Sequence, residues 1–322
     1  MQESCKSRLM VIWHTAIVGI AAAMLGACCP ETPRNTLGDS FEYGGLTRRY
    51  EIYVPASYDA GAAAPVLAIL HGRDESIDDL RTVTRFNTLA DEHGFIAVYP
   101  EAHQGNWNDG RAVPGIAAYD RNVDDVGFVR AVLERVALAY HVDLARIYLA
   151  GFSNGAMMCQ RIAFEQPHLY AAMAAVSGSI PANVRDALTP AVPISVCLIH
   201  GTGDSLVPWD GGLLSPNDPQ GVVLSVPESV GYWSAVNECP AEPARETLSN
   251  RETFDCTTVR KYSYGPGLLG TYVALYAVER GGHAWPGACW THGLFTPGRL
   301  SRDLDATAAI WQFCSAFTRP TG

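Results

Sequence analysis

The chain has 322 residues, of which 48% are hydrophobic and 17% are charged, and its formal net charge is -10. Disordered proteins combine low hydrophobicity with high charge, so this composition predicts a folded protein. The 30 Gly and 20 Pro follow no period, which excludes a collagen-like chain. No cluster of Lys or Arg provides the basic surface that nucleic-acid binding requires.

The N-terminal segment is typical of a secretory signal. Lys6 and Arg8 precede an almost wholly apolar run over residues 9–25, so residues 1–27 are predicted to be a signal peptide. The sequence Leu-Gly-Ala-Cys at 25–28 resembles a bacterial lipobox. The resemblance implies cleavage before Cys28, lipidation of its thiol and an extracytoplasmic location on a bacterial membrane. The alternatives are a signal peptide cut near Ala27 without a lipid, or an uncleaved anchor, for which the apolar run is slightly short.

The remainder is predicted to consist of a short tether, residues 28–36, and one folded domain, residues 37–318. Six cysteines lie in that domain, and six cysteines allow 15 connectivities. Cys239 and Cys256 lie in a polar stretch that suits a local surface disulfide, whereas Cys289 with Cys314 is a weaker pairing. Cys159 and Cys197 fall in apolar patterns and are expected to be buried thiols.

Strand and helix patterns alternate along the domain. Short β-rich runs are predicted at 50–54, 66–70, 95–99, 146–150, 171–176, 194–200 and 272–278. Several are apolar throughout, which is typical of strands buried on both faces of a parallel sheet. Helices are predicted at about 123–140, after Ser153, and at 303–317. The fold class is therefore α/β: a mostly parallel sheet with helices on both faces, and residues 205–257 as an excursion over the sheet.

The first chemical motif is Gly151-Phe152-Ser153-Asn154-Gly155, between a predicted strand and a predicted helix. A G-x-S-x-G turn in that context exposes a serine hydroxyl above the sheet, with the helix N-terminus favouring developing negative charge. The sequence therefore predicts that Ser153 is a nucleophile, with an ordinary tight turn as the alternative.

Two later motifs supply a carboxylate and an imidazole. Asp204 follows the strand predicted at 194–200, where open α/β sheets build their sites, although it could simply cap a turn. His283 lies in a Gly- and Pro-rich loop after the last predicted strand, and an imidazole can take a proton from serine near neutral pH. The order Ser, Asp, His is characteristic of α/β-hydrolases. Asp210 is a weaker candidate for the acid.

The sequence also predicts an oxyanion hole. The strand at 66–70 runs into His71-Gly72-Arg73, and in such folds the loop at this position supplies one backbone N–H and the residue after the nucleophile supplies the other. We therefore assign the backbone N–H groups of Arg73 and Asn154, with His71 as a brace for the loop.

Together these motifs resemble the poly(3-hydroxybutyrate) depolymerase and feruloyl esterase group of secreted α/β-hydrolases. The resemblance rests on residues 71–72, 123–128, 150–157, 200–204 and 282–287, and it extends over about residues 37–318. It implies a Ser153, Asp204, His283 triad and ester hydrolysis through an acyl-enzyme. Relatives often have Cys where this chain has Arg73 and Gly where it has Ala156, and the polymer-binding domain of many depolymerases is missing. These departures weaken the prediction of a polymer substrate but not the prediction of ester hydrolysis.

No cofactor and no metal are expected. Residues 265–270 match G-x-G-x-x-G, but a strand rather than a helix follows, which indicates a hairpin loop. His283, Cys289 and His292 fit no zinc spacing. Trp107, Trp209, Trp285 and Trp290 are candidates for a substrate pocket, with core packing as the equal alternative for each.

The sequence thus predicts a secreted serine carboxylic-ester hydrolase that acts on a small or polymeric ester. No nucleic-acid partner is expected, and a membrane is contacted only through the lipid at Cys28. Acyl transfer or peptide cleavage by the same triad is one alternative. A non-catalytic binding protein on a hydrolase scaffold is the other.

Overall fold

The fold is built around one large sheet. A computed structural model describes residues 35–214, 221–288 and 298–319. Its strands are β1 (Thr36–Tyr43), β2 (Leu46–Tyr53), β3 (Ala64–Leu70), β4 (Ile96–Pro100), β5 (Val142–Phe152), β6 (Ala172–Val176), β7 (Ser195–Gly201), β8 (Gly212–Leu213), β9 (Val222–Val223), β10 (Ala244–Thr247), β11 (Thr258–Tyr264) and β12 (Val273–Glu279). Ten of them form the sheet in the order β1-β2-β4-β3-β5-β6-β7-β12-β11-β10, while β8 and β9 make a separate hairpin.

The centre of the sheet is parallel and its two ends are antiparallel. Strands β4, β3, β5, β6, β7 and β12 pair in parallel. Strand β3 is buried along its whole length, which explains its continuous apolar sequence. The predicted mostly parallel α/β sheet is confirmed. The G-x-G-x-x-G segment joins antiparallel β11 and β12, so the hairpin interpretation of residues 265–270 is confirmed as well.

Helices cover both faces of this sheet. They are α1 (Ile77–Thr84), α2 (Phe86–His93), α3 (Ala117–Asp120), α4 (Asp125–Ala139), α5 (Asn154–Glu165), α6 (Ala182–Ala187), α7 (Val226–Val236) and α8 (Ala306–Cys314). The core on one face includes α4, α5 and α7, and the core on the other includes α1, α2 and α8. The excursion expected at 205–257 contains α7, whose Trp233 is fully buried against the sheet. None of the helices among the described residues is long and apolar enough to cross a membrane.

The predicted disulfide between Cys239 and Cys256 is wrong, because Cys239 carries a free thiol. Cys239 follows α7 and lies near Gly267, beyond the end of β11, whereas Cys256 precedes the first residue of that strand. The two cysteines therefore lie near opposite ends of β11, whose seven residues span about 20 Å. Cys159 and Cys197 are buried thiols, as predicted. Cys28, Cys289 and Trp290, and with them the signal segment, lie outside the described residues.

A buried ion pair fixes the loop that follows β4. Asp125, at the start of α4, accepts a hydrogen bond from an Arg48 guanidinium nitrogen at 2.7 Å and another from the backbone N–H of Asn108 at 2.7 Å. Both charged side chains are almost completely buried, and the Arg48 guanidinium stacks on the Phe128 ring at 3.8 Å. The pair therefore joins β2, α4 and the 101–124 loop at the edge of the sheet where the parallel strands end.

We expect Asp125→Ala to lower the free energy of unfolding by about 3–5 kcal/mol, because it leaves the Arg48 charge buried without its partner. Urea denaturation followed by circular dichroism measures the change. The matched control is Glu134→Ala, which breaks the exposed Arg130–Glu134 pair on the same helix and should change stability by about 0.5 kcal/mol or less. Equal losses in the two variants would contradict the assigned role of the buried pair.

Candidate active site

Ser153 occupies a strained turn between β5 and α5. Its backbone has φ 52° and ψ -117°, a conformation that non-glycine residues rarely adopt. A Cβ on Gly155 would lie 2.3 Å from the carbonyl oxygen of Leu70, so only glycine lets the turn approach β3 so closely. The backbone N–H of Ser153 donates to Val176 O at 2.9 Å, which anchors the turn to β6. The serine therefore stands at the end of β5, at the N-terminus of α5.

The loops after β7 and β12 are held against each other. A Cβ on Gly201 would lie 2.4 Å from the carbonyl oxygen of Gly281, so this contact requires glycine. Gly203 N–H donates to Gly281 O at 2.8 Å, and Arg280 N–H donates to Thr202 Oγ1 at 2.8 Å. These bonds bring residues that are about 80 positions apart in the chain side by side.

Asp204 and His283 meet across this contact. His283 Nδ1 lies 2.8 Å from Asp204 Oδ2, and both residues are buried. Asp204 Oδ1 accepts the backbone N–H groups of Leu206 and Val207 at 2.9 and 2.8 Å. Burial raises the pKa of Asp204, but the hydrogen bond from His283, the charge interactions with His283 and His200 and the hydrogen bond from Val207 N–H together outweigh it and leave the pKa below its usual value. The carboxylate therefore stays ionised and can fix the orientation of the imidazole.

The His283 ring also packs beside the nucleophile turn. Its centroid is 5.0 Å from that of Phe152, the residue before Ser153. No hydrogen bond between the Ser153 hydroxyl and His283 is found within the described part of the chain. The structure thus brings Asp204 and His283 into direct contact and holds the imidazole against the neighbour of Ser153. Catalytic hydrogen bonds are often long in ligand-free enzymes and tighten when substrate binds.

The His200 Nε2 lies 3.5 Å from the Asp204 carboxylate, but the hydrogen bond of His200 goes to another residue. Its Nε2–H donates to the carbonyl oxygen of Val207 at 2.8 Å, in the loop that also binds Asp204. Burial lowers the pKa of His200, so the ring is neutral and acts as a support for this loop.

The loop after β3 is braced by two buried side chains. His71 Nδ1–H donates to Gly72 O at 2.7 Å, and its Nε2 accepts the N–H of Ala102 at 3.0 Å. Burial lowers the pKa of His71 to about 4, so the ring is neutral, and this geometry agrees with the predicted bracing role. Gly72 N–H donates to the Glu75 carboxyl at 2.9 Å. The backbone of Arg73, the predicted oxyanion donor, follows directly.

The side chain of Asn154 links the nucleophile turn to the loop after β4. Its Oδ1 accepts Trp107 N–H at 2.8 Å, and its amide nitrogen donates to Asp109 Oδ2 at 2.7 Å. Asp109 also binds the Arg111 guanidinium at 2.8 Å and the Tyr119 hydroxyl at 2.9 Å. Sequence reasoning assigned only the backbone of Asn154. The sequence gives one signal of this network, the polar residues Asn106, Asn108 and Asp109 in the segment that follows the buried strand β4.

The predicted substrate-pocket tryptophans have different locations. Trp107 is fully buried, and its indole N–H donates to His71 O at 2.9 Å. Trp285 is 3% exposed and donates to Thr307 Oγ1 at 3.0 Å, packed against Phe152. For these two residues the pocket prediction is wrong and core packing is correct, since their indole rings fill the interior. Trp209 is half-buried and lines a groove beside α7.

Comparison with known proteins shows similarity to a family of esterases. The family model described as esterase PHB depolymerase matches residues 48–196, a range that includes Ser153 but ends before Asp204. Over this range the chain is similar to that esterase family. The prediction of a carboxylic-ester hydrolase of the α/β-hydrolase fold is thereby confirmed.

Individual relatives agree with this assignment. The putative esterase NocK of Nocardia uniformis subsp. tsuyamanensis is 29% identical over 88% of this chain and 84% of its own length. The bifunctional acetylxylan esterase/xylanase XynS20E of Neocallimastix patriciarum is 26% identical over 77% of this chain, which spans only 33% of that protein. Poly(3-hydroxyalkanoate) depolymerase C of Paucimonas lemoignei is 22% identical over 60% of this chain and 45% of its own length.

Among solved structures, the acetyl xylan esterase from Aspergillus awamori matches 74% of this chain and 89% of its own, with a TM-score of 0.52 and 16% identity. At that identity the match shows a shared fold.

Glu75 provides a test of the loop after β3. Burial raises its pKa from 4.5 to about 8, so as the pH rises through this interval the unfolded chain releases the proton before the folded chain does. Wild type therefore loses stability through this group between about pH 4.5 and 8, and Glu75→Gln does not. We expect the stability of Glu75→Gln, relative to wild type, to increase over that range.

Urea denaturation at pH 5, 6.5 and 8, values inside the interval set by the Glu75 pKa, measures the difference. Glu92→Gln shows what removal of an exposed carboxyl does by itself, because Glu92 lies on the solvent side of α2. A difference between Glu75→Gln and wild type that stays constant with pH would show that Glu75 does not titrate as assigned.

Proposed function

We propose that the chain is a secreted serine carboxylic-ester hydrolase with Ser153 as nucleophile, His283 as general acid and base, and Asp204 as the carboxylate that orients the imidazole. The observation that supports this proposal most strongly is the 2.8 Å contact between His283 and Asp204, beside a serine held in a strained strand-to-helix turn. The similarity of residues 48–196 to an esterase family supports the same reaction.

In the proposed first step, Ser153 Oγ attacks the ester carbonyl carbon while His283 Nε2 takes the hydroxyl proton. The carbonyl oxygen becomes an oxyanion, and the backbone N–H groups of Arg73 and Asn154 stabilise it. The C–O bond to the alcohol then breaks, His283 returns the proton to the leaving oxygen, and an acyl-enzyme remains. Water attacks this ester in the same way and releases the acid and the free serine.

The buried network around Asn154 supports this assignment. An oxyanion donor must stay in one position, because misplacement removes transition-state stabilisation that is worth several kcal/mol. Asn154 is tied to Trp107 and Asp109, and the Arg73 loop is tied through Gly72 to His71 and Glu75. Both proposed donors therefore belong to backbone that buried side chains hold in place.

We expect Ser153→Ala to reduce hydrolysis of p-nitrophenyl acetate by roughly a million-fold, because the nucleophile is lost. Asp204→Asn should reduce it by roughly ten-thousand-fold, because the amide favours the wrong imidazole tautomer. The matched control is Ser205→Ala, which removes an exposed hydroxyl next to Asp204 and should leave turnover unchanged. Substantial turnover by Ser153→Ala, or a fluorophosphonate probe that fails to label Ser153 in wild type, would reject the mechanism.

Export and lipid attachment are also proposed, on the basis of residues 1–28 of the sequence alone. Expression in a bacterium supplied with a labelled fatty acid should label the wild-type chain, and Cys28→Ser should abolish the label. Cys29→Ser is the matched control and should keep it, because only the residue after the cleaved bond is modified. A labelled Cys28→Ser chain would contradict the assignment.

A further inference from the structure

A cavity of about 380 Å³ lies between the turn that joins β1 to β2 and the segment that leads into α4. We call it the hairpin pocket, and it is lined by residues 43–46, Arg48 and residues 121–124. In the sheet, β4 and β3 stand between β2 and β5, the strand that ends next to Ser153. Three strand spacings, about 14 Å, therefore separate Arg48 from the proposed nucleophile. The pocket is thus distinct from the candidate active site.

One buried charged side chain of the pocket has a nitrogen without a hydrogen-bond partner. Arg48 is 2% exposed, and its Nη2 donates to Asp125 Oδ1 at 2.7 Å and to the carbonyl oxygen of Glu101 at 3.1 Å. Its Nη1 is also buried, and it has no partner among the residues that the structure describes. A buried N–H without an acceptor is unfavourable, and a negatively charged acceptor is the partner that a guanidinium binds most strongly.

A second guanidinium belongs to the same pocket. Arg121 is exposed, and within the described ranges its side chain forms neither an ion pair nor a hydrogen bond. The neighbouring His103 senses both charges, because burial and the positive charges of Arg48 and Arg121 lower its pKa. Two guanidinium groups therefore act on one small region, one from the protein interior and one from the surface.

The carboxylates nearby already have their donors. Asp124 Oδ2 accepts the Tyr43 hydroxyl at 2.8 Å, and its Oδ1 accepts the N–H of Gly127 at 2.8 Å. Asp125 is bound by Arg48, as described above, and by a backbone N–H. Guanidinium N–H groups are left over in the pocket, and a ligand that satisfies them must bring acceptor oxygens.

The positions of the two arginines favour a particular acceptor. Arg48 lies on β2 and Arg121 lies on the segment before α4, so they reach the pocket from different elements. A phosphate group presents its oxygens in tetrahedral directions, and arginine binds it with parallel N–H donors. A carboxylate presents its two oxygens in one plane and suits a single guanidinium better.

We propose that the hairpin pocket binds a phosphate group, which belongs to a free solute or to a lipid headgroup. One phosphate oxygen accepts from Arg48 Nη1, and the others accept from the Arg121 guanidinium. This is a binding property that is measured without turnover, so it stands or fails independently of the proposed ester hydrolysis.

The first experiment titrates sodium phosphate into the intact protein in a calorimeter near neutral pH. Sodium chloride holds the ionic strength constant, because screening alone changes the apparent affinity. We expect saturable binding with a Kd of about 1 mM or tighter, and Arg121→Gln should weaken it about ten-fold or more. The matched control is Arg260→Gln, which makes the same change of charge on β11, near the opposite end of the sheet, and should bind like wild type.

A variant of opposite sign keeps the test independent of damage to the fold. Asp124→Asn removes a negative charge from the pocket, and asparagine serves as well as aspartate at the start of a helix. It should therefore tighten phosphate binding about three-fold or more. Absence of saturable binding by wild type would show that Arg48 Nη1 is only hydrated and would overturn the proposal. Equal binding by wild type and Arg121→Gln, or weaker binding by Asp124→Asn, would overturn it as well.

Further titrations identify the chemistry and the source of the phosphate. Acetate should bind at least about ten-fold more weakly than phosphate, and tighter binding of acetate would reject the assignment of a phosphate group. Glycerophosphoglycerol, the deacylated headgroup of phosphatidylglycerol, then represents the lipid, and glycerol 3-phosphate represents a free phosphate monoester. Tighter binding of the diester would support the proposal with a lipid headgroup as the source, and tighter binding of the monoester or of inorganic phosphate would support it with a free solute.

Discussion

The close approach of the β7 and β12 loops is the constraint on which the rest of the site depends. Gly201 and Gly281 touch so closely that a side chain on Gly201 would collide with backbone, and hydrogen bonds between 203 and 281 and between 202 and 280 lock the contact. Only in that arrangement does Asp204 reach His283 at 2.8 Å. The carboxylate is desolvated there, yet three donors compensate it, so its charge is retained where it can orient the imidazole.

Around this contact, neutral and paired buried groups keep the neighbouring backbone in place. His71 and His200 are buried imidazoles with lowered pKa values, and each binds a backbone carbonyl in a loop of the site. The hydrogen bond between the Asn154 side chain and Asp109 holds the turn that carries Ser153 in place. Such groups would cost stability if left unpaired, but fully bonded they give the loops one conformation. This is the condition that electrostatic stabilisation of an oxyanion requires.

The sheet continues beyond β12 in the antiparallel strands β11 and β10. Tyr262 and Tyr264 of β11 are only partly buried there. These strands are polar and partly exposed, so they lack the continuous apolar run that reveals a buried strand, and sequence analysis missed them together with β1. It also missed α1 and α2, which are only eight residues each, too short for a strong periodic pattern.

The sequence by itself determined the parallel centre of the sheet, the strand-to-helix turn at Ser153 and the order of serine, aspartate and histidine, because burial on both faces and special backbone conformations restrict residue types locally. Tertiary structure alone decided which distant side chains meet. It placed Trp107 and Trp285 in the core, kept Cys239 apart from Cys256, and joined Asn154 to Asp109 and Arg48 to Asp125. Contacts of this kind depend on how loops from separate strands pack at one edge of the sheet. The local pattern of residues in the sequence does not show that packing.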